Sequence, residues 1–442
     1  MAVRLSDHFT YPKLFKAVIS PILMMVFTSI YGIVDGLFVS NVVGDTAFAA
    51  VNLIMPITMA IGAIGFMFGA GGSAIVSKTL GEGDNEKARS IFTAIVIVNA
   101  IVGLAISLIA FVFIDKIAIL LGADEAMLDY AVEYGRILLI GEIAFMSQNL
   151  FQNFFIVAER PTFGFIVTVC AGVTNMILDA LFVSVFKMGI KGAAIATIIS
   201  QLVGSVIPIV YFARNNGSLL KFAKPTFRAE YIIKTITNGS SEFLSNVSAS
   251  FVSMVYNKQL MQYKGQDGVT AYGILMYASF IFAAVFIGYA IGTAPIIGFN
   301  YGAKNHDELK NVLKKSVVLN VATGVVMTLL SVALATPLCA IFVSYNADLL
   351  AFSARAMRIF SIAFIFMGLN MFTSSFFTAL GNGLISAIVS AFRTLVCQLV
   401  TVFFLPILIG VDGIWLSIVI AELLSLSLAI VFLVVNRKKY NY

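Results

Sequence analysis

Long apolar runs broken by short charged clusters set the pattern of this chain. Windows free of any charged residue fall at 46–77, 90–114, 192–213, 268–303 and 316–347. Each reaches or passes the ~20 residues a helix needs to cross a hydrocarbon core. The ten-residue alternation of a membrane barrel is absent, and in lipid a helix satisfies its own backbone groups. Apolar windows set against charge clusters predict twelve spans, near 16–40, 48–77, 90–113, 131–157, 161–186, 192–213, 233–257, 269–298, 314–338, 353–379, 384–409 and 413–435. The expected fold class is an all-α integral membrane protein.

An even number of spans puts both termini on one side. If that side is the cytoplasm, its segments hold 19 of the 28 basic residues, the bias that cytoplasmic loops carry. The two halves also resemble each other. At an offset of 221, "LGEGDNEKARSIF" (80–92) overlies "NYGAKNHDELKNVL" (300–313), pairing Gly81 with Gly302. Gly71 with Gly292, Asn99 with Asn320 and Gly189 with Gly410 follow the same offset. Six spans per copy make both copies enter the membrane in the same direction. Two six-helix bundles related by a pseudo-twofold axis along the membrane normal are therefore predicted. The expected division is an N-terminal lobe over 1–213, a cytoplasmic linker over 214–232 and a C-terminal lobe over 233–442.

Composition agrees with that reading. The 442 residues are 60% hydrophobic and 11% charged, with a mean hydropathy of +0.99. A soluble globule cannot hide so much apolar surface. The net charge of +6 reads as loop bias rather than as a nucleic-acid surface. Cys170, Cys339 and Cys397 show no paired spacing, so neither a disulfide framework nor a zinc site is indicated. The N-terminal "MAVRLSDHFTYPKLFK" is too polar for a signal peptide. No G-x-x-x-x-G-K-[ST] motif occurs, so uphill work would draw on an ion gradient, with no cofactor.

Buried charge supplies the candidate chemistry. Asp35, in "YGIVDGLFVS" (31–40), lies 19 residues past Lys16, about 28 Å along a helix. Asp179, in "TNMILDALF", lies 19 residues past Arg160 on the fifth span, which runs in the same direction. The two carboxylates are thus expected at one height, where an ionisable group costs up to about 3 kcal/mol on insertion scales. Asn175 shares a helical face with Asp179, and Thr197 and Asn149 add polar groups nearby. Such a set suits a hard cation or a shared proton; the alternative is hydrogen-bonded glue between helices. At the offset of 221, Asp35, Asn175 and Asp179 pair with Tyr256, Val396 and Val400. The acids would then belong to one lobe alone, as a coupling site requires and a symmetric scaffold does not.

The C-terminal lobe has its own charges. Arg393 and Glu422 count to near mid-membrane, and an ion pair is the economical reading. Glu242 and Glu142 lie toward the inner side, where they would attract a cationic substrate or sit in water at a cavity mouth. Pro21, fourteen residues before Asp35, is a candidate bend or a static kink.

The twelve-span repeat, "YGIVDGLFVS", "NMILD" (175–179) and the loops "LGEGDNEKA" and "YGAKNHDEL" together resemble the MATE (multidrug and toxic compound extrusion) transporters. The likeness is to the prokaryotic MepA-like and DinF-like branches and covers about residues 10–437. It implies export of organic, often cationic, compounds by antiport with Na+ or H+, as two lobes rock between outward-open and inward-open states. It also implies a cation-coupling site at Asp35, Asn149, Asn175, Asp179 and Thr197, with Tyr31 in the same neighbourhood. Some members carry an acid on the tenth span; this chain has Asn370 there.

The expected partners are small hydrophobic or cationic molecules and the lipid bilayer, with no nucleic acid. The expected form is a monomer in the plasma membrane of a prokaryote, both termini cytoplasmic. A lipid-linked precursor flippase of the same superfamily is the rival, but it calls for more buried bases than Arg393. A membrane-embedded enzyme would need an acid cluster or a catalytic histidine, and neither His8 nor His306 has such a setting.

Overall fold

The apolar runs form helices, most of which extend past their hydrophobic limits toward the charged clusters beside them. The computed structural model describes residues 3–42 and 45–442; the side chains of 37–49 and 126, including part of the stretch 31–40, lie outside the described residues. The first half builds α1 (Tyr11–Val42), α2 (Asp45–Gly81), α3 (Asn85–Leu121), α4 (Glu125–Val157), α5 (Pro161–Asp179) and α6 (Gly189–Ala213). One π-helical turn, Ala180–Val185, continues α5. The second half builds α7 (Ala229–Lys264), α8 (Gln266–Gly302), α9 (His306–Val343), α10 (Ala347–Ser361) and α11 (Phe364–Ala379). It closes with α12 (Gly383–Ala391), a π turn (Phe392–Cys397), α13 (Gln398–Ile409) and α14 (Val411–Tyr440).

These elements make twelve spans among the described residues, and no strand occurs there. α10 and α11 meet at a 48° bend and form one broken span. The break has a local cause. Ser361 O, freed from the helix ladder, accepts from Thr328 Oγ1 (2.9 Å), and Ser361 Oγ meets Ser331 Oγ at 2.6 Å. Ten spans are apolar enough to cross a membrane on composition alone. The other two, α4 and α7, fall short because their buried faces are polar: Gln148, Asn149, Gln152 and Asn153 on one, Asn238, Ser241 and Ser248 on the other.

The repeat is visible in the backbone. Asp84 and Asn305, 221 apart, cap α3 and α9 by accepting from Lys87 N (3.0 Å) and Glu308 N (3.2 Å). Gly189 and Gly410 share the left-handed backbone (φ 61 and 66) that opens α6 and α14. Helix pairing repeats as well: α1 packs on α8 as α7 packs on α2.

The lobes meet through backbone in the half that carries both termini. A Cβ on Gly71 would strike Thr235 O, and one on Gly239 would strike Met67 O. The repeat-related Gly81 and Gly302 face each other's helices at Phe299 and Lys78. Gly288 and Gly292 of α8 lie against Pro21, which is buried inside an unbroken α1. Small residues are what such close approach requires.

The N-terminal segment straps the same end. Leu5 N donates to Glu159 Oε1 in the first lobe (2.7 Å), while Asn300 Nδ2 of the second lobe donates to Leu5 O (3.3 Å). Phe9 N donates to Glu308 Oε1 (2.9 Å), and Phe9 O accepts from Asn311 Nδ2 and Lys315 Nζ. Phe9 itself is fully buried. Burial raises the Glu159 carboxyl above its ordinary range, against the pull of the Leu5 N–H and of Arg4.

Candidate functional site

Helix α1 delivers Asp35, and α5 delivers Asp179 at its last turn, just before the π turn. A glycine allows the two helices to close on each other: Gly172 of α5 has the rings of Phe27 and Tyr31 where a Cβ would stand. The Asp35 carboxyl lies against that of Asp179 and against the Asn175 amide. Asp179 is fully buried and Asn175 nearly so, while Asp35 is half-buried.

Acceptor oxygens outnumber donors among these three side chains. Asp35 Oδ1, both oxygens of Asp179 and Asn175 Oδ1 are buried without a hydrogen-bond partner. Helix glue would leave no such surplus, because a buried acceptor without a donor costs ~1–3 kcal/mol. Two carboxylates also repel: unit charges at about 4 Å interact by about 4 kcal/mol at an effective dielectric of 20. The donor set is all oxygen, which suits a hard monovalent cation or a proton. No group of three or more His, Cys, Asp or Glu fit for a metal centre occurs among the described residues.

Other predicted residues are placed differently. Tyr31 does join the acids, lying close to Asp35 and to Gln148 of α4. Thr197 turns back on its own helix, its Oγ1 donating to Ala193 O (3.0 Å). Asn149 is buried against α2 at Gly69, with its Nδ2 unpartnered. Neither Thr197 nor Asn149 hydrogen-bonds to either carboxyl among the described residues.

Two neighbours escaped the sequence reading. Tyr134 is buried and lies within electrostatic reach of both acids; Gln148 lies close to Tyr31, its Oε1 without a partner. Their signal was weak, since a tyrosine or glutamine in α4 declares no face until the helix is oriented. Glu142 also differs from expectation. It is 2% exposed rather than at a wet cavity mouth, and its Oε1 lacks a partner.

The second lobe closes the corresponding position with neutral groups. Tyr256 stacks on Tyr272 at 5.4 Å and donates to Gln398 Oε1 at 2.7 Å. The sequence register needs correction here. Val396 and Val400, paired with Asn175 and Asp179 at the offset of 221, are 45% and 59% exposed and face away. Gln398 is the residue that meets Tyr256, because the π turn at Phe392–Cys397 alters the register of that span.

Deeper in this lobe Arg393 Nε donates to Glu422 Oε1 (2.9 Å), and Asn370 Nδ2 donates to Glu422 Oε2 (2.7 Å). Glu242 is half-buried and within electrostatic reach of Arg393. The base in this lobe's interior, the part-buried Arg393, is thus already paired.

The family model MatE matches residues 21–181 and 243–404, one stretch in each lobe. The multidrug export protein MepA of Staphylococcus haemolyticus (strain JCSC1435) is 27% identical over 442 residues, covering 97% of this chain and 93% of that protein. MepA of Staphylococcus aureus (strain MSSA476) is 24% identical over 438 residues, with the same coverage. In fold, the chain is similar to an outward-facing multidrug resistance MATE family transporter of the MOP superfamily. The TM-score is 0.92 at 23% identity, covering 100% of this chain and 98% of that one.

Proposed function

Because the chain belongs to the MatE family, we propose that it exports small hydrophobic or cationic molecules across a bacterial plasma membrane by antiport with Na+ or H+. The single observation that carries this reading is the Asp35–Asp179 pair, with four unpartnered oxygens at one place in one lobe. An ion held between the carboxylates removes their mutual repulsion. It also draws α1 and α5 together at Gly172, so site occupancy is linked to the position of α1.

That helix is the lever. Its first half lies against α8 of the other lobe at Pro21, while Tyr31 and Asp35 lie against α4 and α5 of its own. A change of charge at Asp35 therefore bears on the lobe contact as well as on the ion. The lobes rock about the glycine seam, opening alternately to either side. Glu242, half-buried beside Arg393, is available to a cationic substrate. A flippase reading is less well supported, since Arg393 is engaged by Glu422.

The test is substrate efflux from proteoliposomes under separately imposed Na+ and pH gradients. Wild type should exchange under one of them. Asp35→Asn and Asp179→Asn should each lose gradient-driven flux while keeping their fold. Wild-type flux in both variants would end this assignment.

A further inference from the structure

A second feature lies far from the acids, at the terminus-bearing end. There, residues 214–228 cross from α6 to α7 and fold back on the start of α3. Phe222 stacks on Phe92 (5.4 Å, 8°), Arg89 Nε donates to Leu219 O (3.0 Å), and Ser90 Oγ donates to Lys224 O (2.8 Å). Ala223 N donates to Thr93 Oγ1 (3.0 Å). These bonds hold the segment off the helix ends and leave a cleft of about 760 Å³.

The cleft is basic. Lys87, Arg89, Lys221, Lys224 and Arg228 line it against one acid, Glu86. None of the five forms an ion pair among the described residues; the nearby Glu230 is engaged by Lys234 at 2.6 Å. Ser90 and Thr226 add hydroxyls, and the ring of Tyr231 lies 5.9 Å from Lys87 Nζ. Loop bias alone scatters basic residues over a surface. Here they converge on a concave site built by backbone bonds from both lobes' connecting segment. Beside it, Phe227 and Ile233 are 59% and 58% exposed, which places apolar side chains where acyl chains would start.

We propose that this cleft binds a phosphate-bearing anion, seated as the headgroup of an anionic lipid in the leaflet on the terminus-bearing side. Its walls come from α3 in one lobe, α7 in the other and the segment between them, so a bound headgroup clamps the lobes at that end.

The test compares wild-type protein with the variant Lys221→Gln/Lys224→Gln/Arg228→Gln. Phosphatidylglycerol, phosphatidylcholine or inorganic phosphate is titrated in detergent while thermal unfolding is followed. Phosphatidylglycerol should raise the unfolding temperature of wild type, with an apparent affinity about 100-fold weaker in the variant, the size expected for three charges near an anionic surface. A control variant, Lys310→Gln/Lys314→Gln/Lys438→Gln, removes the same charge elsewhere and should respond as wild type does. If inorganic phosphate alone gives the shift, and the first variant abolishes it, the site stands and its ligand is the free anion. Equal shifts with phosphatidylcholine, or equal loss in the control variant, would overturn the proposal.

Discussion

Under the proposed rocking of the lobes, the glycine seam between them gives a direct way to move the protein from one state to another. Gly239→Ala adds a methyl group against Met67, where the backbone C and Cα would lie 2.7 and 3.0 Å away. Both are backbone atoms and cannot rotate aside. Overpacking of this kind costs about 1–3 kcal/mol, and only while the seam is closed. The helix-forming gain of alanine over glycine, up to ~1 kcal/mol, applies to both states and cancels. About 2 kcal/mol against the closed seam changes the ratio of states by about 30-fold. Gly71→Ala, whose methyl would meet Gly239 N at 2.7 Å, should act the same way, and the two should not add, since they share one contact.

The assay is a spin-label distance between Asn85→Cys on α3 and Lys310→Cys on α9, with Cys170, Cys339 and Cys397 replaced. Gly239→Ala should populate a longer distance across the terminus-bearing end. Gly32→Ala, whose methyl meets nothing within 4 Å, should leave the distribution as it was. If Gly239→Ala folds normally and its distances superimpose on the parent's, the seam is not what holds this end shut.

Further outcomes follow from single contacts. Arg393→Met leaves Glu422, 1% exposed, charged and without its guanidinium, and should cost about 3–5 kcal/mol in thermal unfolding; adding Glu422→Gln should recover most of it. Tyr134→Phe removes a hydroxyl within electrostatic reach of both acids and, under the proposed antiport, should shift the apparent affinity for the coupling ion up to about tenfold, with thermal stability almost unchanged. Glu308→Ala takes away the acceptor for Phe9 N, His8 and Asn311. Amide exchange at Phe9 should then quicken by one to two orders of magnitude, as expected for about 1–3 kcal/mol; unchanged exchange would show that the strap is held by Lys315 and Asn300 instead.

The spans themselves were legible because lipid leaves a chain few alternatives. Their lengths were not. α3 and α9 run over Asn85–Leu121 and His306–Val343, well beyond the predicted 90–113 and 314–338, since hydropathy reads the thickness of the membrane and not where a helix stops. The break between Ser361 and Phe364 carries no proline or glycine; it is set by hydroxyls on α9 that only the packed structure brings near. The pairing of Asp35 with Asp179 was readable from two equal counts along parallel helices. Among the described residues Thr197 and Asn149 make no hydrogen bond to either carboxyl, since depth can be counted along a helix while facing cannot. The offset of 221 identified the halves correctly, yet one π turn was enough to move Gln398 into the place assigned to Val400.

The neutral Tyr256–Gln398 contact has an energetic consequence. Under the proposed antiport, with acids in one lobe only, take a cycle that exchanges one substrate for one shared ion. A singly charged cationic substrate then moves no net charge, so voltage contributes nothing. Its steady-state accumulation ratio is capped by the chemical gradient of the ion. A neutral substrate carries the full charge of that ion as imbalance, and 100 mV adds about 2.3 kcal/mol, about 50-fold in the ratio. A one-for-one exchanger of this kind would thus be a stronger pump for uncharged cargo than for cations, and a second acidic pair would lift that ceiling.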